Sequence, residues 1–180
     1  MHYLKYISLV TTLSFYVLVG QNSKDEIWSK ENFSGLKFRS IGPAFMSGRI
    51  SDIAFHPNNE SIWYVTVGSG NVWKTVNAGV TWSPIFDDQN SYSIGCVTID
   101  PNNPNTVWVG TGENLGGRHF GYGDGLYKSN DGGKSWVNMG LKNSEHISEI
   151  LIHPENSDVI WVASQGPMWS SGGQRGVYKS

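Results

Sequence analysis

The chain repeats itself, and the repeat limits its possible folds more than any other feature. Ile50-Ser51-Asp52-Ile53-Ala54-Phe55-His56-Pro57 aligns with Ile94-Gly95-Cys96-Val97-Thr98-Ile99-Asp100-Pro101 and with Ile147-Ser148-Glu149-Ile150-Leu151-Ile152-His153-Pro154. An Asn-bearing turn follows each copy, at Asn58-Asn59, Asn102-Asn103 and Asn156. A second apolar run comes next, and aligning on tryptophan equates Trp63, Trp108 and Trp161. The third run is Val72-Trp73-Lys74-Thr75, Leu126-Tyr127-Lys128-Ser129 and Val177-Tyr178-Lys179-Ser180. The first two of these lead into a Gly-containing turn and a further short strand.

Four short strands in a unit of about 40 to 50 residues predict the blade of a β-propeller. The expected fold class is all-β, with four-stranded antiparallel blades in units of about 48–86, 92–138 and 145–180, the last one incomplete. A ring typically closes with four to eight blades, so about two and a half blades imply remaining blades in a longer parent chain. The 22 glycines and 8 tryptophans suit short strands joined by tight turns. A net charge of -2 and the lack of any Lys/Arg cluster argue against a nucleic-acid partner. The single cysteine, Cys96, has no internal disulfide partner and sits in an apolar run, where it is expected to be a small buried residue.

At the N-terminus, Lys5 precedes an apolar stretch from Tyr6 to Val19, then Gly20 and the polar Gln21-Asn22-Ser23-Lys24. That order predicts a signal peptide over residues 1–20, because about 14 apolar residues are too few to span a bilayer that needs about 20. The expected location is outside the cytoplasm, whether secreted, periplasmic or at the cell surface, with no membrane span after signal removal. Residues 21–36 read as a polar lead-in. The propeller is expected to begin at residue 37, with 37–47 available to complete a blade elsewhere in the ring.

Two turns share a pattern. Ser129-x-Asp131-x-Gly133-x-Ser135-Trp136 and Thr75-x-Asn77-x-Gly79-x-Thr81-Trp82 both fit Ser/Thr-x-Asp/Asn-x-Gly-x-Ser/Thr-Trp. A short carboxylate or amide in a turn accepts the turn's own N–H groups, and glycine permits positive φ. The tryptophan is expected to pack into its own blade and to contribute more stability than the Asp. Thr75, Asn77, Gly79, Trp82, Ser129, Asp131, Gly133 and Trp136 are therefore expected to serve the fold.

Antiparallel strands place the one-two and three-four turns at one end of each blade. The longest and most chemically varied loops then fall at the other end, where a rigid scaffold usually carries function. That end collects Glu113, Arg118, His119, Tyr122 and Asp124 in one loop and Trp169, Gln174 and Arg175 in another. Asp87, Asp88 and His146 lie in the connections between units. Arg118 and Arg175 are candidates to pair with a carboxylate or sulfate, and Tyr122 and Trp169 to stack on a sugar or peptide side chain. His119 is a further ligand-binding candidate. Glu113 with Asp87 or Asp88 is the carboxylate pair to consider for glycoside hydrolysis, which needs two acids about 5 to 9.5 Å apart. The histidines show no metal-ligand spacing, and no phosphate-binding or dinucleotide fingerprint implies a cofactor.

Phe38-Arg39-Ser40-Ile41-Gly42-Pro43, Ser47-Gly48-Arg49-Ile50, Val67-Gly68-Ser69-Gly70-Asn71-Val72-Trp73-Lys74-Thr75 and Trp108-Val109-Gly110-Thr111-Gly112-Glu113 together resemble a known family. It is that of the large secreted bacterial BNR/Asp-box propeller proteins, also described as sortilin N-terminal-domain-like or glycosyl-hydrolase-like. The resemblance implies a many-bladed parent related in fold to sialidases, xyloglucanases and the sortilin ectodomain. Xyloglucanases carry a catalytic Asp about where this sequence has Gly68, and that departure speaks against the same catalysis here. The expected function is ligand binding by an exported propeller, to a protein, peptide or glycan held at the loop-rich end. The alternative is a glycoside hydrolase acting on extracellular polysaccharide.

Overall fold

The structure is a computed structural model that describes residues 35–36, 48–114 and 119–180. The expected signal segment, most of the lead-in, the Phe38–Pro43 motif and Arg118 lie outside these residues. Ser47–Ser180 form one compact unit. Among the described residues no helix is long and apolar enough to cross a membrane.

The described residues build three antiparallel sheets in chain order. The first holds β1 (Ile50–Phe55), β2 (Trp63–Val67), β3 (Asn71–Thr75) and β4 (Ser83–Pro84). The second holds β5 (Ile94–Ile99), β6 (Val107–Thr111), β7 (Leu126–Ser129) and β8 (Val137–Gly140). The third holds β9 (Ile147–His153), β10 (Asn156–Ser164) and β11 (Gly176–Lys179). β10 begins at Asn156, so the residue expected in a turn already pairs, with His153. β5 packs against both β1 and β9, so the first strands of the three sheets stand side by side. These sheets are propeller blades. Because the second has a neighbour on each face, every residue of β6 is buried, whereas every residue of β11 is exposed.

Strand pairing corrects one alignment drawn from the sequence. Ala54, Thr98 and Leu151 occupy one repeat position, three residues before the shared proline, and their partners are Tyr64, Trp108 and Trp161. Trp63 instead matches Val107 and Ile160, because the three turns are equally long and the first copy carries its tryptophan one position earlier. A common contact marks the corrected register. Lys74 lies over Tyr64 at 5.0 Å, Lys128 over Trp108 at 5.1 Å and Lys179 over Trp161 at 5.5 Å. In each case the lysine stem covers an aromatic face while its ammonium meets the ring's negative π surface.

Two apolar cores glue the sheets together. The first sets Tyr64, Val72 and Phe86 of the first blade against Val97, Val107, Val109 and Tyr127 of the second. The other sets Trp108 and Leu126 against Ile147, Ile150, Ile160 and Val162. Cys96 belongs to this second core, where burial pushes its thiol well above the usual range.

The patterned turns hydrogen-bond internally. Asp131 Oδ1 accepts the Ser129 hydroxyl at 2.7 Å and the Lys134 and Ser135 N–H groups at 2.9 Å each, while Oδ2 accepts the Ser135 hydroxyl at 2.6 Å. In the first blade Asn77 Oδ1 accepts the Thr75 hydroxyl and the Thr81 N–H, but Asn77 Nδ2 donates to the Thr81 hydroxyl at 2.9 Å. The glycines at φ 87° and 91°, Gly79 and Gly133, supply the left-handed step. Trp136 departs from expectation, whereas Trp82 stays with its own blade. Trp136 packs onto the preceding blade, its indole N–H donating to Ile85 O at 2.7 Å and its ring meeting Phe86 edge-on at 5.1 Å. Trp82 meets Trp63 at 6.2 Å and stays 37% exposed. The indole seals the joint between blades, and no described sheet lies ahead of the first one to receive Trp82.

The same turns fix the polarity of the blades. Gly132 N–H donates to Asn105 O at 2.8 Å, and Ala78 N–H donates to Ser61 O at 2.9 Å. One-two and three-four turns thus meet at one end, leaving the long loops at the other.

Candidate functional site at the loop-bearing end

The site grows from one repeat position, the residue just before each first strand. These residues are Arg49, Ser93 and His146, whose carbonyls accept the N–H groups of Gly68 at 2.8 Å, Gly112 at 2.7 Å and Gln165 at 2.8 Å. Identical backbone bonds in all three sheets hold three different side chains at one end of the inner strands. Glycine is required where backbones meet here. A Cβ on Gly112, whose φ is 86°, would lie 1.8 Å from Glu145 O, and one on Gly95 would lie 2.1 Å from Ile147 O.

Glu113 stands where the three sheets converge. Its side chain is fully buried, and its Oε1 is ion-paired with Arg49 of the first blade. Its carbonyl accepts from His146 Nδ1 of the third blade at 3.0 Å. Since a carbonyl only accepts, the proton sits on Nδ1 and leaves Nε2 as a bare acceptor. Burial holds the His146 imidazole below its ordinary value, so it is neutral at pH 7. Glu113 Oε2 and His146 Nε2 are both buried without a hydrogen-bond partner among the described residues. The Glu113 carboxylate also fills the space a side chain on Gly68 would need, since a Cβ there would lie 2.9 Å from Glu113 Cδ.

Aromatic rings surround His146. Phe120 meets it at 5.6 Å, Tyr122 at 5.5 Å, and Phe120 in turn meets Trp169 at 6.1 Å. Trp169 is 71% exposed and Tyr122 57%, so both offer ring surface to solvent beside the buried polar centre. Ser93 Oγ, with one proton shared between Gly68 O at 2.6 Å and Gly121 O at 3.0 Å, ties the Tyr122 loop to the first blade.

The remaining candidates divide. His119 is exposed, and its carbonyl faces Arg49 Nη2 at 3.5 Å. The Arg175 guanidinium bonds to Pro167 O and lies 3.5 Å from Ser170 O, so it braces the loop that carries Trp169. Asp124 accepts the Tyr127 hydroxyl at 2.7 Å. Asp87 accepts from Asn71 Nδ2 at 2.9 Å, and Asp87 and Asp88 line a groove of about 590 Å³ with Lys74 and Gly132–Lys134. The side chains that contact Glu113 and those that line the Asp88 groove are different sets. Arg118 lies outside the described residues. Two members of the site were missed from sequence, Arg49 and Ser93. The signal was available, because both share the His146 position in the repeat.

No family model matches the chain, and no curated protein matches it. Solved structures do. An ancestral GH74 enzyme superposes with a TM-score of 0.56 at 20% identity, over 73% of this chain and 17% of that one. The GH74 enzyme of Niastella koreensis superposes with a TM-score of 0.53 at 27% identity, over 71% of this chain and 19% of that one. The chain thus spans less than a fifth of either protein, and both likenesses place its three sheets among β-propellers.

Proposed function

We propose that this chain belongs to an exported propeller of the BNR/Asp-box kind. In this reading its loop-bearing end binds a protein, peptide or glycan beside Glu113 and His146. The observation that carries the reading is the exposed pair Tyr122 and Trp169 flanking a buried polar centre held by all three sheets. Aromatic faces supply large contact area at small entropic cost, and a centre braced from three sides keeps its geometry when ligand arrives. The export assignment rests on the apolar segment Tyr6–Val19 and its polar flank.

A second reading, glycan hydrolysis, is favoured by the likeness to the Niastella koreensis GH74 enzyme. It needs a second acid. Glu113 has one oxygen paired with Arg49, and Asp88 lines a different groove, so a hydrolase would draw its partner acid from outside these contacts. One experiment separates the two: purified protein is screened against peptide and oligosaccharide panels, recording both retention and reducing-end release. Retention lost in Tyr122→Ala and Trp169→Ala, without release, supports binding. Release lost in Glu113→Gln supports hydrolysis, and neither signal in any panel member removes the proposal.

A further inference from the structure

The groove that holds Asp87 and Asp88 lies apart from the Glu113 centre, and its charges are unpaired. It has a volume of about 590 Å³ and is lined by Lys74, Asp87, Asp88, Gly132, Gly133 and Lys134, so it lies between two four-stranded sheets. Among the described residues none of its four charged side chains forms an ion pair. The lysines make one end cationic. Lys74 Nζ donates to Gly132 O at 2.7 Å and lies over the Tyr64 ring at 5.0 Å, and an ammonium has further N–H groups for a ligand. Burial, and then the like charge of Lys134, hold the Lys74 ammonium below its usual value, so an anion placed beside both lysines would stabilise them.

The turn sequence is particular to this end. Its pattern sets Gly132 and Lys134 where the first blade has Ala78 and Val80. Ala78 holds φ 56° at that place, so the turn does not itself demand glycine. A Cβ on Gly132 would lie 3.3 Å from Lys74 Nζ, so glycine leaves room for the ammonium. The carboxylates make the other end anionic. Asp87 Oδ1 accepts from Asn71 Nδ2 at 2.9 Å, and Asn71 lies three residues along β3 from Lys74. At about 3.3 Å per residue the two ends stand about 10 Å apart. Between them Pro84 has no N–H, while Ile85 N–H donates to Val72 O and Ile85 O accepts the Trp136 indole. The outer strand thus offers little main-chain pairing, and charge is left to carry recognition.

We propose that this groove binds an extended peptide segment of a partner protein that carries an acidic side chain and, three or four residues away, a basic one. The acidic group meets Lys74 and Lys134, and the basic group meets Asp87 and Asp88. Neutral sugars bring neither charge, and acidic glycans bring only one sign. A free amino acid holds its two charges too close together to reach both ends. The groove is independent of the ligand reading above, so either can fail without the other.

The test uses the intact chain and two labelled peptides of one composition, Glu-Ser-Thr-Ser-Lys and Ser-Glu-Lys-Thr-Ser, capped at both ends and followed by fluorescence anisotropy. In the first the two charges share a face of the extended chain, and in the second they point to opposite faces. The first should bind saturably, at least about threefold more tightly than the second, and should weaken as salt is raised. Lys134→Gln and Asp88→Asn should each weaken the first peptide by about threefold, as befits the loss of an exposed ion pair. Amide chemical shifts should move at Asp88 and Lys134 when the first peptide is added. Equal binding of the two peptides would overturn the proposal, as would binding that ignores salt or both substitutions. Shifts confined to the loop-bearing end would overturn it too, by placing the peptide beside Glu113 instead.

Discussion

Asp131 and Asn77 do the same work with different chemistry, and pH separates them. Hydrogen bonds from the Ser135 and Ser129 hydroxyls and from nearby N–H groups hold Asp131 well below its ordinary value of 3.8. A carboxyl depressed by folding lends stability that is present above its unfolded value and is lost as pH falls through the folded one. The stability Asp131 lends should therefore fade as pH drops below about 3.8. Urea midpoints at pH 5 and pH 3 check this, and Asp131→Asn should show a smaller drop than the parent protein. His146 runs with the same sign. Burial lowers its value from 6.5, so the folded state resists protonation and loses stability as pH falls below that point. His146→Gln should flatten the dependence between pH 7 and pH 5, and an unchanged slope would remove the buried imidazole as its cause. Gly68 offers a third test. Gly68→Ala should cost about 1 to 3 kcal/mol by pressing on the Glu113 carboxylate, and a double-mutant cycle with Glu113→Ala should show the two changes coupled rather than additive. The role of Asp131 was legible in the sequence because its partners lie within four residues. That of Glu113 was legible only as a candidate, since Arg49 and His146 reach it from other blades.

At the scale of elements, Trp136 belongs to the joint between blades rather than to the blade that carries it. Trp136 seals this joint, and among the described residues Trp82 has only Trp63, of its own blade, for a neighbouring ring. Trp136→Ala should therefore destabilise the chain by about 3 kcal/mol or more, and Trp82→Ala by about 1. Equal losses, measured by chemical denaturation, would mean that the indole stabilises its own turn after all. The strand order was readable from the repeat, because alternation and turn residues act locally. The register slip was not read. Aligning on tryptophan favoured the conspicuous residue, yet Pro57 to Trp63 is one residue shorter than Pro101 to Trp108, and pairing obeys the backbone count. The Gly-rich loop after β6 is crowded. A Cβ on its glycines at 112, 121 or 123 would collide with another backbone or side chain, so the glycine content there reflects close approach.

Across the whole molecule, stability follows from how many faces each sheet has covered. The second sheet is packed on both sides, by the core that contains Tyr64, Phe86 and Tyr127 and by the one that contains Trp108, Ile147 and Ile150. The first and third sheets each have one covered face among the described residues. Repeat folds of this kind draw their stability from nearest-neighbour interfaces, so a sheet with two interfaces should open last. Amide exchange should therefore be slowest in β6, where Val107–Thr111 are buried throughout, and fastest in β11 and in Ile50–Phe55 of β1, whose residues are all exposed or half-buried. The loop-bearing end should not exchange uniformly. Gly112 N–H, bonded to Ser93 O beneath Glu113, should be protected nearly as well as β6, while the amides beside Trp169 should exchange with the solvent-facing loops. If Gly112 instead exchanged as fast as those loops, Glu113 would not be braced by three sheets. The rigid centre required for ligand binding at that end would then be missing, even with the propeller fold intact.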